Sequence, residues 1–222
     1  MPAGWTTALW DAASDTYTAI LDHPFLAGLA DGTLDPDAFR YFLAQDAHYL
    51  RRYAQALAVL AAKAPTHADT GVLAEHSAQT AAVEVALHEQ LLPTLGLAAE
   101  SLATIEPSPT TTAYTSYLLA VTYGATFAEG LAAVLPCYWI YQRVGAALRE
   151  RGSPDPRYQT WIEAYASADF AATVADVLAL ADRIGADLGA GEAQRARAHY
   201  VTTSRYEWMF WDAAWRREAW PI

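Results

Sequence analysis

The chain has 222 residues, 54% hydrophobic and 18% charged, a balance that argues against disorder and for one sizeable domain spanning 1–222. Its 25 acidic and 14 basic residues give a net charge of −11 without any basic run, so nucleic acid is not an expected partner. The single cysteine, Cys137, excludes an internal disulfide framework and a multi-cysteine zinc site and fits a reducing compartment.

From the start of the chain, residues 1–10 lack the basic and long apolar regions of a secretion signal, so the expected location is the cytoplasm. Helical periodicity then covers nearly everything. Breaks are expected at Gly28 to Asp37, Ala64 to Ala68, Gly96 to Pro109, Arg151 to Pro156 and Gly185 to Gly191. The Asp35-Pro36 pair reads as an N-cap followed by proline at the first helical position, predicting a long helix through about Ala62. Tyr117 to Tyr141, with Glu129 as its one charge, comes nearest to a membrane span. Gly124, Gly130 and Pro136 interrupt it, so it is read as buried central helices and no membrane is expected. No period-2 alternation or internal repeat appears, and the predicted class is an all-α, single-domain helical bundle.

Three helical stripes carry polar groups onto faces that should be buried. The first is Phe39, Phe42, Asp46, Tyr49, Tyr53, Ala56 and Leu60; the second, near the end, is Tyr200, Thr203, Glu207, Phe210 and Ala214. The third, Val134, Cys137, Tyr141, Val144 and Leu148, sets the cysteine one turn from a tyrosine. Burying an unpaired carboxylate costs several kcal/mol, so Asp46 and Glu207 each require a partner or a ligand. Singly, each reads as a structural hydrogen-bonding group and the cysteine as a small hydrophobe. Together they also fit a polar, aromatic-walled pocket between helices.

These residues carry a resemblance to a known family. His23-Pro24-Phe25, the run Phe39 to Leu50, Glu84 and His88, Ala113 to Leu118, Leu135-Pro136-Cys137-Tyr138-Trp139, Tyr158, Trp161, Tyr165 and Phe170, and Ser204 to Asp212 spread it over most of the chain. The sequence resembles the TenA family, known as thiaminase II or aminopyrimidine aminohydrolase, and in keeping Cys137 it is similar to the cysteine-dependent branch. That resemblance implies the haem-oxygenase-like fold, a homotetramer and a role in thiamin salvage. The implied reaction replaces the amino group of an aminomethyl-aminopyrimidine, or the thiazolium of thiamin, with water.

It further implies Cys137 as the nucleophile that adds to the pyrimidine ring and Glu207 as the acid that protonates the adjacent ring nitrogen. Asp46 accepts from the 4-amino group, and Tyr49 donates to the sulfur and favours the thiolate. Tyr114, Tyr141, Tyr165 and Phe210 surround the flat ligand. Pro136 is expected to kink or restart its helix beside the sulfur. The scheme calls for no metal and no organic cofactor. Two other readings stand beside it. One is a haem or di-iron protein using His23, Glu84 and His88, although His23 before Pro24 reads better as a turn brace. The other is a non-catalytic pyrimidine-binding or regulatory protein.

Overall fold

The computed structural model describes residues 4–91, 93–95 and 105–222, with backbone alone for residues 81, 83–90 and 93. Nine α-helices and one 3₁₀ turn, Pro93–Leu95, are found among them, and no strand. In chain order the helices are α1 (Trp5–Leu21), α2 (Pro24–Asp31), α3 (Pro36–Lys63), α4 (His67–Leu91) and α5 (Pro109–Gly124). They continue with α6 (Phe127–Arg151), α7 (Pro156–Tyr165), α8 (Ala168–Gly185) and α9 (Ala190–Arg216).

Most starts are written in the local sequence. In α2, α3, α5 and α7 a proline occupies the first turn, and the preceding His23, Asp35, Ser108 or Asp155 side chain accepts a hydrogen bond from a backbone N–H of that turn. The expected brace at His23 is therefore present, with Nδ1 accepting from Phe25 N at 3.1 Å. Helix α6 begins on a capping box, Thr126 and Glu129 each satisfying the other's backbone N–H. Helix α2 ends at Gly32, whose φ of 72° suits glycine and whose missing Cβ leaves room for Pro154 Cγ, 2.7 Å from where a Cβ would stand.

The expected breaks at 28–37, 64–68, 151–156 and 185–191 each contain a gap between helices and overlap the helix ends, the first taking in the last turn of α2, whereas the one at 96–109 lies partly outside the described residues. Further breaks occur at Asp22-His23, Ala125-Thr126 and Ala166-Ser167. The turn at 125–126 divides the Tyr117 to Tyr141 stretch into α5 and a largely buried α6. The described stretch closest to a span by composition is instead Pro156–Gly185, with a mean hydropathy of 1.3 over its most apolar window, and a turn splits it into α7 and α8. Pro136 does not restart α6, which runs through it unbroken.

Helix α6 is the axis, packed along α9 and flanked by α5, α7 and α8; α3 lies across from it between α4 and α5, while α1 backs α9. An aromatic core fuses these layers. Phe42 of α3 stacks on Trp211 of α9 at 4.9 Å and 5°, and Trp211 packs on Phe25, Tyr141 and Trp161. Tyr158 is anchored by donating to Leu34 O at 2.7 Å. This packing fixes α3, α6 and α7 around one hollow, with α9 behind them.

Candidate active site

A cavity of about 660 Å³ opens between α3, α4, α6 and the α7–α8 turn. Helix α3 contributes Asp46, Tyr49 and Tyr53, spaced so that all three project from one face, and α6 contributes Cys137, Tyr138 and Tyr141 in the same way. Tyr165 and Phe170 close the side next to α7 and α8; His76, Gln79 and Thr80 of α4 stand opposite. The wall carrying Tyr165 approaches α6 closely at Gly145, where a Cβ would lie 2.6 Å from the Tyr165 carbonyl carbon. Only a residue without a side chain lets the turn come that near.

Five of the eight expected site residues line this cavity: Asp46, Tyr49, Cys137, Tyr141 and Tyr165. Glu207, Tyr114 and Phe210 do not. The ring of Tyr49 packs on Tyr114 at 4.9 Å and on Phe210 at 5.6 Å, so these two form a layer behind it. Tyr114 belongs there because its hydroxyl donates to Glu207 Oε1 at 2.6 Å, tying α5 to α9.

Burial sets the electrostatics of this centre, and no cation is among the described groups that act on Glu207 or Cys137. Glu207 is 1% exposed, and burial pushes its carboxyl up to about 8; the Tyr114 hydrogen bond pulls down and nearby Asp46 adds to the rise. It is protonated at neutral pH. The Cys137 thiol faces the cavity, where a small molecule reaches it, yet protein encloses it. Burial holds its pKa well above the ordinary value and Glu207 and Asp46 push it further, while contacts from Tyr49 and Tyr53 only partly offset them. The Tyr49 contact acts in the direction expected of a group that favours the thiolate, and burial outweighs it. The buried Tyr49 hydroxyl stands beside Cys137 and Tyr114 without a well-formed hydrogen bond to either, so it has a donor to offer.

Sequence reasoning gave no role to Tyr53, Tyr138 or His76. Tyr53 was within reach, one helical turn beyond Tyr49 on the same stripe. Tyr138 sits one position off the α6 stripe, and nothing around His76 in the sequence connects it to the cysteine. A second hollow of about 670 Å³, beside Leu91, Thr94 and Thr160, carries the Asp155–Arg157 pair, whose charges satisfy each other, and no nucleophile. Among the described residues, no cluster of three metal-ligating side chains occurs. The Glu84 and His88 side chains lie outside the described residues, and His23 is engaged by Phe25 N and faces Asp212 at 3.7 Å.

An all-helical bundle with a cysteine and Asp46 at an aromatic cavity, and a second carboxyl buried behind it, defines a class, and comparison with known proteins gives it a family. Residues 10–217 match the model of the TENA/THI-4/PQQC family, and the chain belongs to that family. It is 35% identical over 209 residues to the aminopyrimidine aminohydrolase of Bacillus subtilis, covering 94% of this chain and 89% of that one. It is 37% identical over 217 residues to the thiamine biosynthesis multifunctional protein ThiED of Corynebacterium efficiens; that match takes in 97% of this chain and 29% of that much longer one. Among solved structures, a TenA homologue from P. horikoshii OT3 superposes with a TM-score of 0.89 at 30% identity, covering 96% of this chain and 99% of that one. A Shewanella denitrificans domain described as having a heme oxygenase-like fold superposes at 0.76, with 16% identity over 96% of this chain and 92% of that one. The haem-oxygenase-like fold expected from the sequence is therefore the fold observed.

Proposed function

We propose that this protein is an aminopyrimidine aminohydrolase of thiamin salvage, converting 4-amino-5-aminomethyl-2-methylpyrimidine and water to the hydroxymethylpyrimidine and ammonia. The observation that carries the reading is the pairing of a cavity-facing thiol, Cys137, with a neutral carboxyl, Glu207, in a site walled by tyrosines. The named activity of the Bacillus subtilis relative supports it. So does the character of the cavity, since aromatic faces and the Asp46 carboxylate suit a flat heterocycle bearing a cationic arm.

In this reading Asp46 accepts from the 4-amino group and fixes the ring over Cys137. The sulfur adds to a ring carbon while the adjacent ring nitrogen takes a proton supplied by Glu207, through Tyr114 or directly. Electrons returned from the ring then expel the amine from the methylene carbon, which leaves as ammonia after taking up a proton. Water adds to the exposed methylene and gives up a proton to the released ammonia, the ring nitrogen returns its proton to Glu207, and the ring regains its aromaticity as the sulfur departs and recovers its own proton. Tyr49 offers its hydroxyl to the sulfur as negative charge develops there. Thiamin would enter the same scheme with its thiazole as the leaving group.

The assembly we propose is a homotetramer in the cytoplasm. Exposed Tyr123, Met209, Trp215 and Trp220 offer apolar surface for such contacts, and light scattering of the purified protein tests the state directly.

The decisive experiment is a product assay with the aminomethyl and formylaminomethyl pyrimidines beside thiamin. Hydroxymethylpyrimidine and ammonia are expected from the first. Cys137→Ser should keep the melting temperature and pyrimidine affinity while losing nearly all turnover, because a neutral hydroxyl is a far weaker nucleophile. Tight binding without product by the wild-type chain would return it to the role of a pyrimidine-binding protein.

A further inference from the structure

Helix α5 carries Tyr114, the partner of Glu207, and its first turn is completed from a distant part of the chain. In α2, α3 and α7, which also open on proline, the cap side chain accepts from the residue just after the proline, at Phe25, Asp37 and Arg157 N. In α5 the Ser108 hydroxyl accepts from Thr111 N and the Ser108 carbonyl from Thr112 N, so neither serves Thr110 N. Thr110 is buried, and its N–H would be stranded without an acceptor. The Glu218 side chain supplies one, Oε2 taking Thr110 N at 2.9 Å across 108 residues of sequence.

Glu218 reaches that point by a reversal at the end of α9. Arg217, at φ 49°, is the one non-glycine residue with positive φ among those described, a conformation that persists where the surroundings over-determine it. Here they do. Arg217 N and Glu218 N close the helix end on Ala214 O at 3.2 Å and Ala213 O at 2.9 Å, and the Arg217 guanidinium lies 3.4 Å from Asp35. Tyr41 of α3 donates to Glu218 O at 2.6 Å, and Trp220 donates to Pro107 O at 3.0 Å. From its other side the segment ahead of α5 is pinned by Gln45 of α3, which accepts from Ser108 N at 2.9 Å and donates to Glu106 O at 3.0 Å.

We propose that Glu218 is a positioning residue for the reaction: by completing the first turn of α5, it keeps the Tyr114 hydroxyl in place on Glu207. The inference rests on the reading of Glu207 as the acid. Tyr114 stands about one turn beyond Thr110 on the same helix, and its hydroxyl donates to Glu207 Oε1 at 2.6 Å. Helix α9 and its tail thus grip α5 at two levels, at the tyrosine and at the helix start. Without the second grip the first turn of α5 loses an acceptor it cannot replace from its own cap, and a proton-transfer contact tolerates little displacement. Glu218 does not line the cavity, so its influence on the chemistry runs through Tyr114.

The titration of Glu207 reports where Tyr114 stands. The Tyr114 hydrogen bond lowers the Glu207 carboxyl, and Asp46 of α3 raises it. Cys137 and Tyr141 of α6 and Tyr200 of α9 also lie in its field, and none of these sits on α5. A Tyr114 hydroxyl drawn away therefore sends the folded value above about 8, moving both the alkaline limb of kcat and the loss of stability with rising pH to higher pH.

Turnover of the aminomethyl pyrimidine and urea titrations, each from pH 5 to 10 on the whole protein, test the proposal. Glu218→Ala should show the upward shift and lower kcat about 10-fold, with KM nearly unchanged. Glu218→Gln keeps an oxygen for Thr110 N and should restore both measures toward wild type. Tyr114→Phe should move the limb the same way, and adding Glu218→Ala to it should move it no further, because both act on one hydrogen bond. Glu129→Gln, which loosens α6 instead, controls for lost stability and should leave the limb where it is. If Glu218→Ala does not fold, Tyr41→Phe removes only the hydroxyl that holds Glu218 O and reads the same displacement. A wild-type limb in the folded Glu218→Ala, an equal loss in Glu218→Gln, or shifts that add in the double variant would overturn the proposal. Urea titrations need no pyrimidine, so an unmoved stability profile overturns the role of Glu218 even where the wild-type chain yields no product, a result that by itself defeats the reading of the site.

Discussion

Glu129 and Glu207 are hidden from solvent to nearly the same degree, at 5% and 1% exposure, and differ in protonation because of what lies beside them. Burial pulls the Glu129 carboxyl upward, but the Thr126 backbone N–H and the Arg195 guanidinium outweigh it and hold it below the usual range. Asp69 is treated alike by Arg183 and Thr66. Glu207 has a tyrosine where these have an arginine, and burial wins. An arginine holds Glu129 and Asp69 ionised and ties two helices together at each, whereas among the described residues no cation acts on Glu207 and burial keeps its carboxyl neutral.

The comparison breaks most sharply at Glu207. Glu207→Gln keeps the size and a donor but cannot release a proton, so turnover should fall by about 10² to 10⁴. Its effect on stability should run the other way. With the folded pKa raised to about 8, this group's contribution is complete at low pH and is lost as pH rises from the ordinary carboxyl range through 8. Wild-type stability should therefore include a decline of up to about 1.4 kcal/mol per pH unit across that window. Urea titrations of Glu207→Gln should lack that component.

Asp46→Asn places a donor where the 4-amino group donates, and pyrimidine affinity should weaken by about 1.5 to 3 kcal/mol in calorimetry. An analogue without that amino group should bind both forms almost alike. Glu129→Gln should cost about 1 to 3 kcal/mol of stability by loosening the start of α6, with turnover nearly intact. Its pH signature is the reverse of that of Glu207: the stabilisation from Glu129 is present above the ordinary carboxyl range and lost as pH falls through the lowered value. Gly145→Ala touches neither carboxyl. It should push Tyr165 away from α6, cost about 1 to 3 kcal/mol and weaken pyrimidine binding, with both pH slopes unchanged.

Much of this was legible in the sequence because helices announce themselves locally. The Asp35-Pro36 start, the three stripes and the inward placement of Asp46, Cys137 and Glu207 all follow from 3.6-residue periodicity. Thr126-x-x-Glu129 also spelled out the break before α6, though the apolar run around it drew the reading toward longer central helices. What periodicity does not carry is depth. It places Glu207 and Phe210 on an inner face, and the family resemblance adds Tyr114, but which inner residues meet the cavity depends on Tyr49 standing in front of Tyr114 and Phe210. It also says nothing of the balance between a buried sulfur and its neighbours, so the upward push of burial on the thiol emerged only from the assembled site. The contact between His76 and Tyr138 joins helices 62 residues apart in sequence and has no local signature.

The aromatic wall has an optical consequence. Tyr141 and Tyr165 face the cavity, and behind them Trp161 lies 4.6 Å from Tyr165 while Trp211 lies 5.2 Å from Tyr141, ring centre to ring centre. At such separations excitation absorbed by these tyrosines passes to the indoles, whose emission is sensitive to neighbouring polarity and to electron-poor rings. A flat heterocycle settling against the tyrosines is one ring away from both indoles. The protein thus carries a built-in fluorophore pair at its binding wall, and occupancy can be followed by emission in rapid mixing without a label.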